Sequence, residues 1–213
     1  MKPGVELIRG LSSENPVLVL FVGLCPVLAV STRLITSLWM SLAILCVLLG
    51  STLLSSIVGL FAPGRGARAR WLASLLLTAS LATCADLLIG FFAPDAHAAL
   101  GLYVPLLAVN CLVTGRAELA ARGQPVGRAL LEALGAGAGL TACIVVIAAA
   151  REALGFGTLT LFPLGAFSGT LVIPPLAGSP ARAATFACGG FLAAGYLAAF
   201  SGSVRRRGAR SRP

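Results

Sequence analysis

Charge is what this chain has least of. Aspartate, glutamate, lysine and arginine make up 11% of its 213 residues, and only seven of these are acidic. A soluble domain carries about a quarter charged residues, so a water-exposed globular fold is excluded. Recognised chemical motifs are lacking too. The chain has no Cys-x-x-Cys, no cysteine–histidine pair, no phosphate loop, no dinucleotide fingerprint and no hydrolytic triad. It therefore carries no recognised motif for NAD or flavin.

What is abundant is apolar. Hydrophobic residues reach 58% and the mean hydropathy is +0.97, in runs long enough to enter a bilayer. The chain is read as a single integral membrane domain over 1–213. Its net charge of +9 comes from arginines in short loops between apolar runs. These suit topology determinants facing an anionic leaflet, not a nucleic-acid footprint. Cys25, Cys46, Cys84, Cys111, Cys143 and Cys188 all lie within apolar runs. A free thiol there packs as a small hydrophobe, so disulfides are not expected.

The first 31 residues imitate a secretory leader, with Lys2, Arg9, an apolar run from Pro16 and a cleavage-like Ala29-Val30-Ser31. The run continues almost uninterrupted into the next one. Leu24-Cys25 also lacks the small residue expected before a lipidated cysteine. The segment is therefore read as a retained first span, with Ser12, Ser13 and Asn15 as caps and Pro16 in the first turn. Residues 4–13 form a short lead-in.

The apolar runs predict six spans at about 16–35, 38–60, 71–92, 98–115, 126–150 and 183–201. Residues 159–176 are long enough to add a seventh, but contain Pro163, Pro174 and Pro175. Charge decides between the counts. With six spans, 13 of the 16 lysines and arginines share one side, leaving Arg33, Arg151 and Arg182 opposite. A seventh span would move the arginines of the 202–213 tail to the wrong side of the positive-inside rule. The expectation is six spans with both termini cytoplasmic, and 159–176 re-entrant or lying on the surface.

Six spans divide into halves of three, about 14–93 and 98–201. Because three is odd, the second half enters the membrane from the other side. Each half carries the same short echo: Pro26-Val27-Leu28-Ala29-Val30 and Pro105-Leu106-Leu107-Ala108-Val109. A cysteine stands beside each, Cys25 before the proline and Cys111 after Asn110. Proline removes a backbone donor and breaks or kinks an apolar helix. The expected fold is thus all-α, with two inverted three-helix repeats whose helices 1 and 4 are broken. Paired broken helices point to a site near the membrane midplane.

Cys25 lies ten positions into span 1, about 15 Å of rise, which is near the middle of a core roughly 30 Å thick. Asn110 beside Cys111 is costly in hydrocarbon unless it faces protein. Two readings stand side by side: both thiols pack, or both bind a soft metal or an iron–sulfur cluster. Clusters usually take four protein ligands, so the second reading requires a partner subunit. Asp86 is the acidic residue well inside a span. It is either a candidate for an ion pathway or a protonated, hydrogen-bonded carboxyl. His97, on the outer loop, is assigned no special role. Arg151-Glu152 and Arg116-Ala117-Glu118 are read as interfacial pairs or caps, and Gly135 with Gly139 as a close helix contact.

At these residues the chain resembles the NqrD/RnfE family of membrane subunits, from Rnf and Na⁺-pumping NADH–quinone reductase complexes. The likeness spans about 10–200. It rests on Glu14-Asn15-Pro16, on Gly23-Leu24-Cys25-Pro26-Val27-Leu28-Ala29-Val30, on Asn110-Cys111-Leu112-Val113-Thr114-Gly115-Arg116-Ala117-Glu118 and on Arg151-Glu152-Ala153-Leu154-Gly155. Residues 162–182 depart from the family pattern. The resemblance implies that Cys25 and Cys111, with two cysteines of a sister subunit of the same fold, hold a [2Fe-2S] centre in the membrane. It further implies an electron-transfer subunit of an Rnf-type ferredoxin:NAD oxidoreductase that moves ions across the bacterial inner membrane. The rivals are a metal-free secondary transporter with inverted repeats and a structural scaffold.

Overall fold

A backbone in hydrocarbon must satisfy its own hydrogen bonds, so long apolar runs become long helices. A computed structural model describes residues 22–61, 66–156, 158–164, 167–172 and 186–210. Its helices are α1 (Leu24–Val30), α2 (Leu34–Phe61), α3 (Ala67–Phe92), α4 (Pro94–Leu100), α5 (Cys111–Ala121), α6 (Val126–Phe156) and α7 (Ala187–Arg210). Two 3₁₀ pieces, Gly101–Tyr103 and Pro105–Val109, join α4 to α5. Leu34–Phe61, Ala67–Phe92, Pro94–Ala121 and Val126–Gly155 are each long and apolar enough to cross a membrane. They match the expected spans 2 to 5. Helix α7 stands where the sixth was expected and ends among arginines. Of the first span, 16–21 lie outside the described residues, as do the lead-in, Glu14-Asn15-Pro16 and 173–185.

Helix α2 is the hub, packing on α6, α5 and α3. Its buried face mixes Met40, Ile44, Val47 and Leu48 with Ser37, Ser41, Ser51, Thr52 and Ser55. Lipid is as apolar as leucine, so burial alone gains little here. Close packing of small residues holds helices together instead. A Cβ on Gly137 of α6 would come within 2.7 Å of Leu45 Cδ2 and 3.0 Å of Leu48 Cδ2. On Gly59 it would lie 2.6 Å from the Ala121 carbonyl oxygen, a backbone contact that cannot yield. Gly135 and Gly139 are buried in α6 as well, but the tight fit to α2 is at Gly137. Several buried hydroxyls donate back to their own helix, as Thr52 does to the Leu48 carbonyl at 2.6 Å and Thr78 to that of Ser74 at 2.7 Å.

Only 17% of the most apolar stretch of α3 is buried. It turns Trp71, Leu72, Leu76, Leu87, Phe91 and Phe92 outward, as a helix facing lipid or another subunit does. Residues 159–176, expected to re-enter the membrane or lie on its surface, begin as an antiparallel hairpin. Strand β1 (Thr158–Leu164) pairs with β2 (Phe167–Val172), with an irregularity between Thr160 and Pro163. Proline is tolerated there because every strand of a two-stranded ribbon is an edge.

Candidate site at two helix breaks

The first of the two is the turn at Gly23, where the described helix α1 begins. Its φ of 82° and ψ of 22° are left-handed, a region that side chains rarely adopt. Helix α1 starts at Leu24, placing Cys25 in its first turn, and ends at Val30. The second break is made by Asn110. Its φ of −66° and ψ of 123° are extended, and α5 begins with Cys111 itself. The Asn110 side-chain oxygen accepts the Leu112 N–H at 3.0 Å, so this buried polar residue caps α5. Both thiols therefore lie in the first turn of a helical segment.

Neither proline makes a break. Pro26 is the third residue of α1 and Pro105 the first of its 3₁₀ piece. A first turn has no use for the missing N–H. The Pro-x-Leu-Ala-Val echo is corrected accordingly: one copy follows its break and the other precedes it. The equivalent residues of the two breaks are the cysteines.

The breaks touch. A Cβ on Gly23 would sit 3.6 Å from Leu112 Cβ and 3.7 Å from Leu140 Cδ1. Gly23 is two residues from Cys25, and Leu112 is next to Cys111. Leu140 lies near the middle of α6, which runs from Val126 to Phe156. The two thiol-bearing turns thus meet halfway along a helix that spans the bilayer. Both thiols are free and exposed on the chain surface. Cys46, Cys84 and Cys188 are also exposed, and Cys143 is buried in the core. Packing within the chain therefore accounts for Cys143 alone of these four. Among the described residues, no three histidine, cysteine, aspartate or glutamate side chains gather. Two ligands from this chain fit a centre completed elsewhere.

Asp86 lies six residues before the end of α3. Its Oδ1 is 3.3 Å from Nδ1 of His97 on α4, so His97, expected to have no special role, faces the membrane carboxylate. The imidazole packs beside Gly90, one turn beyond Asp86, at ordinary van der Waals distance, 3.7 Å from where a Cβ would be. An open groove of about 1000 Å³ lies beside this turn, lined by Thr32, Arg33, Thr36, Trp39, Asp95 and neighbours.

Arg151 and Glu152, read from sequence as interfacial pairs or caps, are caps in the interior. Each is 2% exposed. Arg151 Nη1 donates to the Leu28 carbonyl at 3.2 Å and to Ser31 Oγ at 2.7 Å, and Nη2 donates to the Phe186 carbonyl at 3.0 Å. Glu152 Oε2 accepts the Leu34 N–H at 2.7 Å. The arginine satisfies the end of α1 and the glutamate the start of α2. Arg116 and Glu118 of the other charged motif each pair elsewhere: Arg116 reaches Glu132 at 3.5 Å and Glu118 reaches Arg122 at 3.0 Å.

These features define a multi-pass membrane protein in which the turns at Gly23 and Leu112 touch, each beside an exposed cysteine. Residues 5–198 match the family model described as "Rnf-Nqr subunit, membrane protein", and the chain belongs to that family. It is similar to the E component of the ion-translocating oxidoreductase complex of Methanosarcina acetivorans, at 34% identity over 92% of this chain and 89% of the relative. It is also similar to the E components of the same complex in Aliivibrio fischeri strain MJ11, at 41% over 72% and 67%, and in Shewanella frigidimarina, at 40% over 71% and 64%.

Proposed function

We propose that this chain is an electron-relay subunit of an Rnf-type ion-translocating oxidoreductase complex. Cys25 and Cys111 would supply two thiolates to a [2Fe-2S] centre completed by a sister membrane subunit. The observation that carries this reading is the contact of the two breaks at Leu140, midway along α6. The names of the relatives support the complex. A centre at mid-depth supplies a one-electron stop that divides a hydrocarbon layer roughly 30 Å thick.

The chain's own residues do the rest. Gly23 and Asn110 open the helical segments that carry the thiols, and each cysteine is exposed on this chain, open to a partner. Leu112 and Leu140 close the inner side against water, and low polarity there tunes a potential. Asp86, with His97 against it, is the candidate for ion movement, and the groove beside the His97 turn would admit ions from the outer face. The site of action is the inner membrane with both termini cytoplasmic, as the distribution of 13 of the 16 basic residues supports.

Iron and sulfide analysis of the purified complex, with its electron paramagnetic resonance spectrum, tests this reading. Cys25→Ser and Cys111→Ser should each abolish the signal of this centre, and Cys46→Ser should leave it. Asp86→Asn should leave the signal and slow ion transport. A metal-free transporter would show no such signal, and a scaffold no difference between the cysteines.

A further inference from the structure

We propose that Arg151 and Glu152 are positioning residues for Cys25, a role that rests on the reading of Cys25 as a ligand. Helix α1 has seven residues and is about 10 Å long, too short to hold its own place. It is pinned at both ends. At the start, Gly23 lies against Leu112 and Leu140. At the finish, the Arg151 guanidinium takes the Leu28 carbonyl and Ser31 Oγ while its other nitrogen takes the Phe186 carbonyl. Leu28 is one helical turn from Cys25 and on the same face. Arg151 therefore sets both the height and the rotation of the turn that carries the thiol.

Glu152 fixes the other side of the same corner. Its carboxylate caps Leu34, while Thr36 and Ser37 hydroxyls donate to the carbonyls of Val30 and Arg33. The α1–α2 corner is thus tied to α6, the helix against which the two breaks meet. Gly190 of α7 completes the fit. A Cβ there would lie 3.0 Å from Leu28 Cδ2 and 3.3 Å from Arg151 Nη1, so any side chain would press on both the clamp and the helix it holds. Cys111 needs no such device, because Asn110 caps its helix locally. The separation of the two thiols is then governed by the clamp.

The test uses the purified complex with Arg151→Lys, Ser31→Ala and Gly190→Ala, and with Gly195→Ala as control. Gly195 lies on the same helix with nothing within 4 Å of an added Cβ. Two quantities are read: the resonance spectrum with its midpoint potential, and the rate at which a maleimide modifies Cys25 after iron is stripped, located by peptide mass. The first three variants should shift the spectrum and potential and change the Cys25 labelling rate several-fold, with Gly195→Ala matching the parent. Ser31→Ala removes one acceptor only, so it reports even if Arg151→Lys fails to assemble. Unchanged spectra and labelling in Ser31→Ala and Gly190→Ala would overturn the clamp while leaving the cluster reading intact. A signal that survives Cys25→Ser would overturn the cluster reading instead, and the labelling rate would still decide whether Arg151 places that thiol.

Discussion

The two breaks perform the same task by opposite means. The second is held from within: Asn110, adjacent to Cys111, caps the helix that the cysteine begins. The first is held from outside. Gly23 supplies only a left-handed turn, and the short helix after it is fixed by Arg151, 123 positions along the chain from Leu28. The difference follows from length. Helix α5 has 11 residues and lies against α2 and α3, whereas α1 has seven and must borrow its anchor from α6. A local cap survives rearrangement of the rest of the bundle. A long-range clamp makes one thiol answer to helices α6 and α7.

That contrast can be broken most severely at Arg151. Arg151→Ala removes the hydrogen bonds to the Leu28 and Phe186 carbonyls and to the buried Ser31 hydroxyl, at a cost on the order of 3 kcal/mol. A large fall in the thermal midpoint of the detergent-solubilised complex is expected, with loss of the Cys25-dependent signal. Gly23→Ala comes next. The space at Gly23 accepts a methyl group, so the penalty is conformational, about 1–2 kcal/mol for a left-handed residue. It should lower the same midpoint moderately. Asn110→Ala should cost least, about 1 kcal/mol for a lost cap, with Asn110→Ser recovering most of it in the same melt. An Asn110→Ala effect exceeding that of Arg151→Ala would reverse the assignment of internal and external support.

Much of this was legible because its causes are local. Apolar runs show spans 2 to 5, and Asn110 between an apolar run and Cys111 shows a polar residue in need of a role. Glycine and asparagine, not the prolines, stand at the turns into α1 and α5, since a proline in a first turn continues a helix without loss. The repeated Pro-x-Leu-Ala-Val drew attention to the correct region through residues that occupy unlike positions in it. The Asp86–His97 approach and the Arg151 clamp join separate elements, so no periodicity announces them. The hairpin had a signal in the alternation of Thr158-Leu159-Thr160-Leu161, a period of two that suits a strand. The prolines and glycines around it drew the reading to how the segment meets the membrane, re-entrant or on its surface, and away from its strand pairing.

An anomalous-scattering map at the iron edge, from crystals of the intact complex, addresses the thiol pair directly. The account predicts one pair of iron atoms bounded by Cys25 and Cys111, at the depth of Leu140, with two further thiolates from the neighbouring subunit. Iron absent from that place, with the two sulfurs facing lipid or far apart, would contradict it.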